Sequence, residues 1–88
     1  MATHRGKARD VDAWDFVMDG DAPDWVMAAI KAQQIRTDQA GGTWFMVVGT
    51  AKGPAIAELD DWIVRDTDGA LSVWKPAAFR AAFERIAP

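Results

Sequence analysis

Catalysis and metal binding need particular side chains at particular spacings, and this chain is sparing with them. It has no cysteine, one histidine (His4) and one serine (Ser72). Nucleophilic catalysis needs a hydroxyl or thiol beside a base. His4 lies ahead of any apolar pattern and Ser72 sits inside a strand-like run, so nothing in the sequence pairs them. Asp66-x-Asp68-Gly69 begins like a calcium loop, yet the third acidic ligand and the closing glutamate are missing at the required offsets, which leaves a plain turn. Acid–base chemistry by carboxylates alone would fall to Asp60, Asp61 or Asp66, and no neighbour in sequence forces an unusual pKa on any of them. Gly41-Gly42 precedes a strand and not a helix N-terminus, so it does not cradle phosphate. The expectation is a protein with no catalytic residue, no metal and no cofactor, which acts by binding another macromolecule.

Composition narrows the class of that partner. The 88 residues are half apolar and include five tryptophans, well beyond the supply of a disordered chain. One core fits this length, so residues 1–88 read as a single domain. A net charge of -3 is the wrong sign for holding nucleic acid through its phosphates, and direct nucleic-acid binding is not expected. The longest apolar runs, such as Trp44 to Gly49, are too short to span a bilayer, and no apolar stretch follows the basic N-terminus to make a signal peptide. Without cysteine, nothing calls for an oxidising compartment. A cytoplasmic protein with no membrane contact is expected.

The elements that would position any site follow from pattern. Residues 1–8 lack apolar periodicity and read as a flexible arm. Val11 to Met18 carries apolar groups on both alternating faces, as a strand covered on both sides does. Asp21 stands as N-cap of a helix that has Pro23 in its first turn and runs to about Gln34, with Val26, Ala29, Ile30 and Gln33 on one stripe. Ile35 to Asp38 suits a short strand and Gln39 to Gly42 a loop. Thr43 to Val48, rich in β-branched and aromatic residues between glycines, reads as a central strand, and Ala55 to Leu59 returns beside it after the turn Thr50-Ala51-Lys52-Gly53. Trp62 to Arg65 and Ala70 to Trp74 form a hairpin through Asp68-Gly69. Lys75-Pro76 opens a final helix with Phe79, Ala82, Phe83 and Ile86 on one face. The predicted fold is α+β: a small antiparallel sheet of four or five strands with two helices, in the order β-α-β-β-β-β-α. Its core is expected to hold Val26, Ile30, Val47, Trp62, Ile63, Phe79 and Phe83.

In this order, Val11-Asp12-Ala13-Trp14-Asp15-Phe16, Thr50-Ala51-Lys52-Gly53, Asp61-Trp62-Ile63-Val64 and Lys75-Pro76-Ala77-Ala78-Phe79 make the chain resemble a family of small phage and prophage proteins of unassigned function. Asp60 stands where that family favours glycine, Phe16 replaces tryptophan, and Trp74 occupies a usually smaller position. Aspartate tolerates a left-handed backbone, so the turn before Trp62 can form. The resemblance implies a mobile-element origin and supplies no activity.

Candidate contact residues come from charge and exposed aromatics. Aspartates crowd two stretches, of which Asp19, Asp24, Asp61 and Asp66 are candidates for meeting a basic protein surface. Trp44 and Phe45 are adjacent in one strand and must point to opposite sides. Trp74 shares a face with Ser72 beside Lys75, which suits an interface anchor as well as it suits packing under the last helix. The functional expectation is a phage-encoded accessory protein that binds and inhibits a host protein, in its sharpest form an anti-CRISPR-type inhibitor of a nucleic-acid-targeting defence complex. A structural or packaging-related virion component and a nucleic-acid-binding regulator are the alternatives. Because no metal loop is complete, calcium or zinc should leave the thermal midpoint unchanged; a metal-dependent rise in a melting experiment would overturn that reading.

Overall fold

The second strand of the described fold buries apolar side chains on both of its faces. β2 (Asp10–Asp15) turns Val11 and Ala13 to one side and Trp14 to the other, and all three are buried. This is the two-sided covering expected from apolar residues on both alternating faces, although Asp12 and Asp15 interrupt the pattern. The structure, a computed structural model, describes residues 3–6, 10–16 and 22–85. The elements that follow β2 are α1 (Asp24–Lys31), β3 (Ile35–Ala40), β4 (Thr43–Thr50), β5 (Gly53–Glu58), β6 (Trp62–Arg65), β7 (Leu71–Trp74), α2 (Pro76–Ala82) and β8 (Glu84–Arg85). A short β1 (His4–Arg5) precedes it.

The α+β class holds, but the single sheet is replaced by two antiparallel ones, with more strands than the four or five expected. One sheet runs β7-β6-β2-β1-β8 and the other β3-β4-β5. The flexible arm expected over residues 1–8 is corrected for residues 3–6. His4 pairs with Val11 on one side and Arg85 on the other, and its ring is buried, edge-on to Trp62 and Phe79 at centroid distances of 5.2 and 5.0 Å. A polar arm with no periodicity gives no sign of this, since two residues are too few to show a period.

Two cores share the large sheet as a wall. On one side Trp14, Phe16, Ile63 and Leu71 meet Val26 and Ala29 of α1 and Met46, Val48 and Ala57 of the small sheet. On the other, Val11, Ala13 and Val64 meet Phe79 and Phe83. Of the expected core, Val26, Ile63, Phe79 and Phe83 are buried, while Ile30 and Trp62 pack half-buried against it. Val47 is corrected: it lies opposite Arg36 and Ile56, on the outer side of the small sheet, because the inner positions of β4 fall to Met46 and Val48.

The turns follow their residues. Gly41 and Gly42 both have left-handed φ (58° and 81°) and close β3 onto β4 with a two-residue hairpin, so the predicted loop shrinks to its glycines. Asp60 has φ 74° in the turn before Trp62, where aspartate was expected to replace glycine. Gly69, at φ 88°, closes the β6–β7 hairpin. The expected N-cap Asp21 lies outside the described residues, and the helix instead begins after extended Pro23 and ends at Lys31, three residues short of Gln34. The last helix stops at Ala82: Phe83 is already extended (φ -134°, ψ 150°) yet still places its ring in the core, and Ile86 lies outside the described residues.

Gly6 sits directly against that ring, where an added Cβ would lie 2.8 Å from Phe83 Cε1. Phe83→Ala should cost about 3–5 kcal/mol by emptying the core under α2. Gly6→Ala should cost about 1–3 kcal/mol in the parent but far less in the Phe83→Ala background, where the methyl has room. Additive costs in the double-mutant cycle, read by urea unfolding, would show that residues 3–6 do not dock on Phe83.

Candidate binding groove

A groove of about 550 Å³ opens where the two sheets meet, between β7 and the turn joining β4 to β5. Leu71, Ser72, Val73 and Trp74 form one wall, and Thr50 to Ala55 the other. Its size lies within the range of ligand and peptide sites, and apolar strand residues beside a few polar ones are the usual lining.

Local chemistry shapes both walls. Thr50 Oγ1 donates to the Gly53 carbonyl at 2.6 Å and accepts the Lys52 N–H at 3.2 Å, fixing the turn so that exposed Lys52 stands at its tip. Across from it, Trp74 Nε1–H donates to Ser72 Oγ at 2.9 Å, and the indole lies edge-on to Phe83 at 5.2 Å. Trp74 is therefore half-buried packing for the last helix and a groove wall at once. Asp66 closes the groove at the hairpin end, with Oδ1 accepting the Thr67 N–H at 2.9 Å.

The structure brings together two of the five candidate contact residues, Asp66 and Trp74. Asp24 lies elsewhere, exposed at the start of α1 in a hollow it shares with Asp12, Trp25 and Arg65. There Arg65 bonds Asp12 at 2.6 Å and covers the Trp25 ring at 5.2 Å, so the arginine is committed to Asp12 and the ring, and Asp24 adds a second acidic group to the hollow. Asp19 lies outside the described residues. Asp61 is corrected as a contact residue: it is 3% exposed, and its Oδ2 accepts both the Glu58 N–H at 2.9 Å and Lys75 Nζ at 3.0 Å. Lys52 is the groove residue that charge counting missed. The sequence signal was there, one lysine in a four-residue turn, but an acidic chain draws attention to its acids.

Trp44 settles the question raised by its pairing with Phe45. It is the exposed member at 38%, with Phe45 half-buried on the opposite side of the strand. Among the described residues no cluster of three or more histidine, aspartate or glutamate side chains is placed to hold a metal ion, and no helix is long and apolar enough to cross a membrane. No protein family matches the chain, and neither a curated protein nor a solved structure does.

The Asp61 junction yields a pH dependence. Lys75 titrates above its ordinary 10.5, held up first by the hydrogen bond to Asp61 against the opposing effect of burial, with the Asp61 charge and Glu58 adding to it. A raised folded-state value means that this stabilisation is complete below pH 10.5 and is lost as pH rises through the folded value. The stability difference between parent and Lys75→Met should be constant near neutrality and vanish at strongly alkaline pH. A difference that persists there would remove the ion pair from the account. Asp61→Ala, which also strips the Glu58 N–H of its acceptor, should cost about 1–3 kcal/mol at pH 7.

Proposed function

We propose that this protein is a non-enzymatic cytoplasmic accessory protein that binds a host protein through the groove between β7 and the β4–β5 turn. The observation that carries the proposal is the convergence of Asp66, Trp74 and Lys52 on one groove. An aromatic wall flanked by one charge of each sign suits an anchor residue with polar neighbours, the usual make-up of an interface centre. The narrower form is inhibition of a host nucleic-acid-targeting complex, as anti-CRISPR proteins do. It rests on the resemblance to small phage proteins and on a net charge of -3, which favours a basic protein surface over nucleic acid itself.

Lys52→Glu with Asp66→Lys exchanges the two charges at the groove without touching the Trp74–Phe83 packing. Used as bait beside the parent in a host lysate, this variant should lose the partner that the parent retains while staying folded, its thermal midpoint lowered only by the lost Asp66–Thr67 hydrogen bond. Equal recovery by both baits would remove the groove from the contact. A retained partner unrelated to nucleic-acid handling would sink the inhibitory form and leave the binding role standing.

A further inference from the structure

The small sheet ends in an edge that complements itself. β3 is the outermost strand of its sheet, six residues long, and every residue after Ile35 is exposed. Antiparallel ladders alternate, so residues that bond one neighbour leave the next pair of backbone groups pointing the other way. The Gly49 N–H donates to the Gln34 carbonyl at 2.7 Å, and the register pairs Arg36 with Val47 and Asp38 with Phe45. Arg36 and Asp38 therefore bond β4, while the N–H and C=O groups of Ile35, Thr37 and Gln39 face outward. Asp38 Oδ1 takes the Gln39 N–H at 2.8 Å, the contact expected of an edge amide with no strand beside it.

We propose that β3 is a homodimerisation edge, pairing antiparallel with β3 of a second copy about a two-fold axis through Thr37. That register sets Thr37 against Thr37 and Ile35 against Gln39 of the second copy as hydrogen-bonded pairs. It also sets Arg36 against Asp38 of the second copy, twice by symmetry, on the outer side of the sheet. Opposite charges and paired threonines are both favourable directly across strands. The interface is isologous, so it closes at two copies instead of growing into a fibre.

Charged residues on an edge usually protect it from stray pairing. That protection works when like charges meet. One arginine and one aspartate placed symmetrically about a threonine instead cancel against their own copy, while mismatching most other strands and most other registers. The Gln39 N–H passes from Asp38 to the carbonyl of Ile35 of the second copy, freeing the carboxylate for Arg36. Little apolar area is covered, so association is weak and concentration-dependent. The groove lies at the other edge of this sheet, so dimerisation stands or falls separately from the proposed function.

Sedimentation equilibrium of the purified chain from micromolar to millimolar concentration tests this. The parent should move from monomer to dimer and go no further. Arg36→Glu sets acid against acid in both pairs and should weaken the dimer by about tenfold or more. Arg36→Asp combined with Asp38→Arg restores opposite charges and should recover association. Thr37→Pro removes an outward N–H that β4 does not use and should abolish the dimer while the fold survives. A chain that remains monomeric throughout overturns the proposal. So does a dimer indifferent to Arg36→Glu and Thr37→Pro, or one that the charge exchange fails to restore.

Discussion

The β2–β6 ladder is the constraint on which the rest of the molecule depends. Four paired positions, from Asp12↔Arg65 to Asp15↔Trp62, fix a register in which Trp14 and Ile63 face one core and Ala13 and Val64 the other. A slip of one residue would exchange the two faces and set Asp12 and Asp15 into the wrong surroundings. The large apolar content of a short chain is thus divided between two thin layers instead of gathered into one. Each layer is small, and each needs the shared wall. α2 has only seven residues and no side-chain cap, so Phe79, stacked on Trp62 at 4.1 Å, and Phe83 hold it through packing and not through helical propensity.

Asp61 joins this wall to the small sheet. Its backbone carbonyl accepts the Phe16 N–H, extending the β2–β6 ladder, while its side chain reaches the Glu58 N–H at the end of β5 and Lys75 at the start of α2. A buried carboxylate is costly unless it is bonded, and here two bonds reach it, one from the end of β5 and one from the residue that precedes α2. The junction ties the two sheets together beside the apolar core that Ile63 and Leu71 share with Met46, Val48 and Ala57. The packing of the sheets in turn forms the groove, whose walls belong one to each sheet.

Local features were legible in the sequence wherever a residue type dictates backbone geometry. Gly41-Gly42, Asp60 and Gly69 adopt the left-handed conformations their turns require, and the hairpin from Trp62 to Trp74 stands in the expected place. The two-sided covering of β2 was legible from Val11, Ala13 and Trp14 falling on alternating faces, despite the interruptions at Asp12 and Asp15. What escaped was decided by contacts distant in sequence. His4–Arg5 gains strand structure only because β2 and β8 arrive on either side, and Phe83 leaves the helix while keeping the core position its spacing suggested. The division into two sheets was equally hidden, since alternation along a strand says which faces are apolar and not which strand lies beside it. Among the contact candidates, the aspartates were selected by charge, whereas burial and partners decide whether a charge is available. That test removes Asp61 and brings in Lys52.

The same partners change what the acidity of this chain means. Asp10 bonds Arg5, Asp12 bonds Arg65, Asp61 bonds Lys75, and Asp38, Asp66 and Asp68 each accept a nearby backbone N–H. Aspartate is frequent here largely because turns, strand ends and ion pairs between elements call for a short carboxylate. Among the described residues, these six carboxylates each have a local duty. A mechanism resting on bulk negative potential would need one acidic face, and exposed pairs of opposite sign would screen it at physiological salt. The proposed groove contact would rest on shape and placement: an indole held edge-on to Phe83, a lysine at the tip of a threonine-braced turn, and an aspartate closing the hairpin end. Each is fixed by local contacts, while the packing of the two sheets sets their spacing, so such a contact would depend on where individual charges stand more than on the net charge.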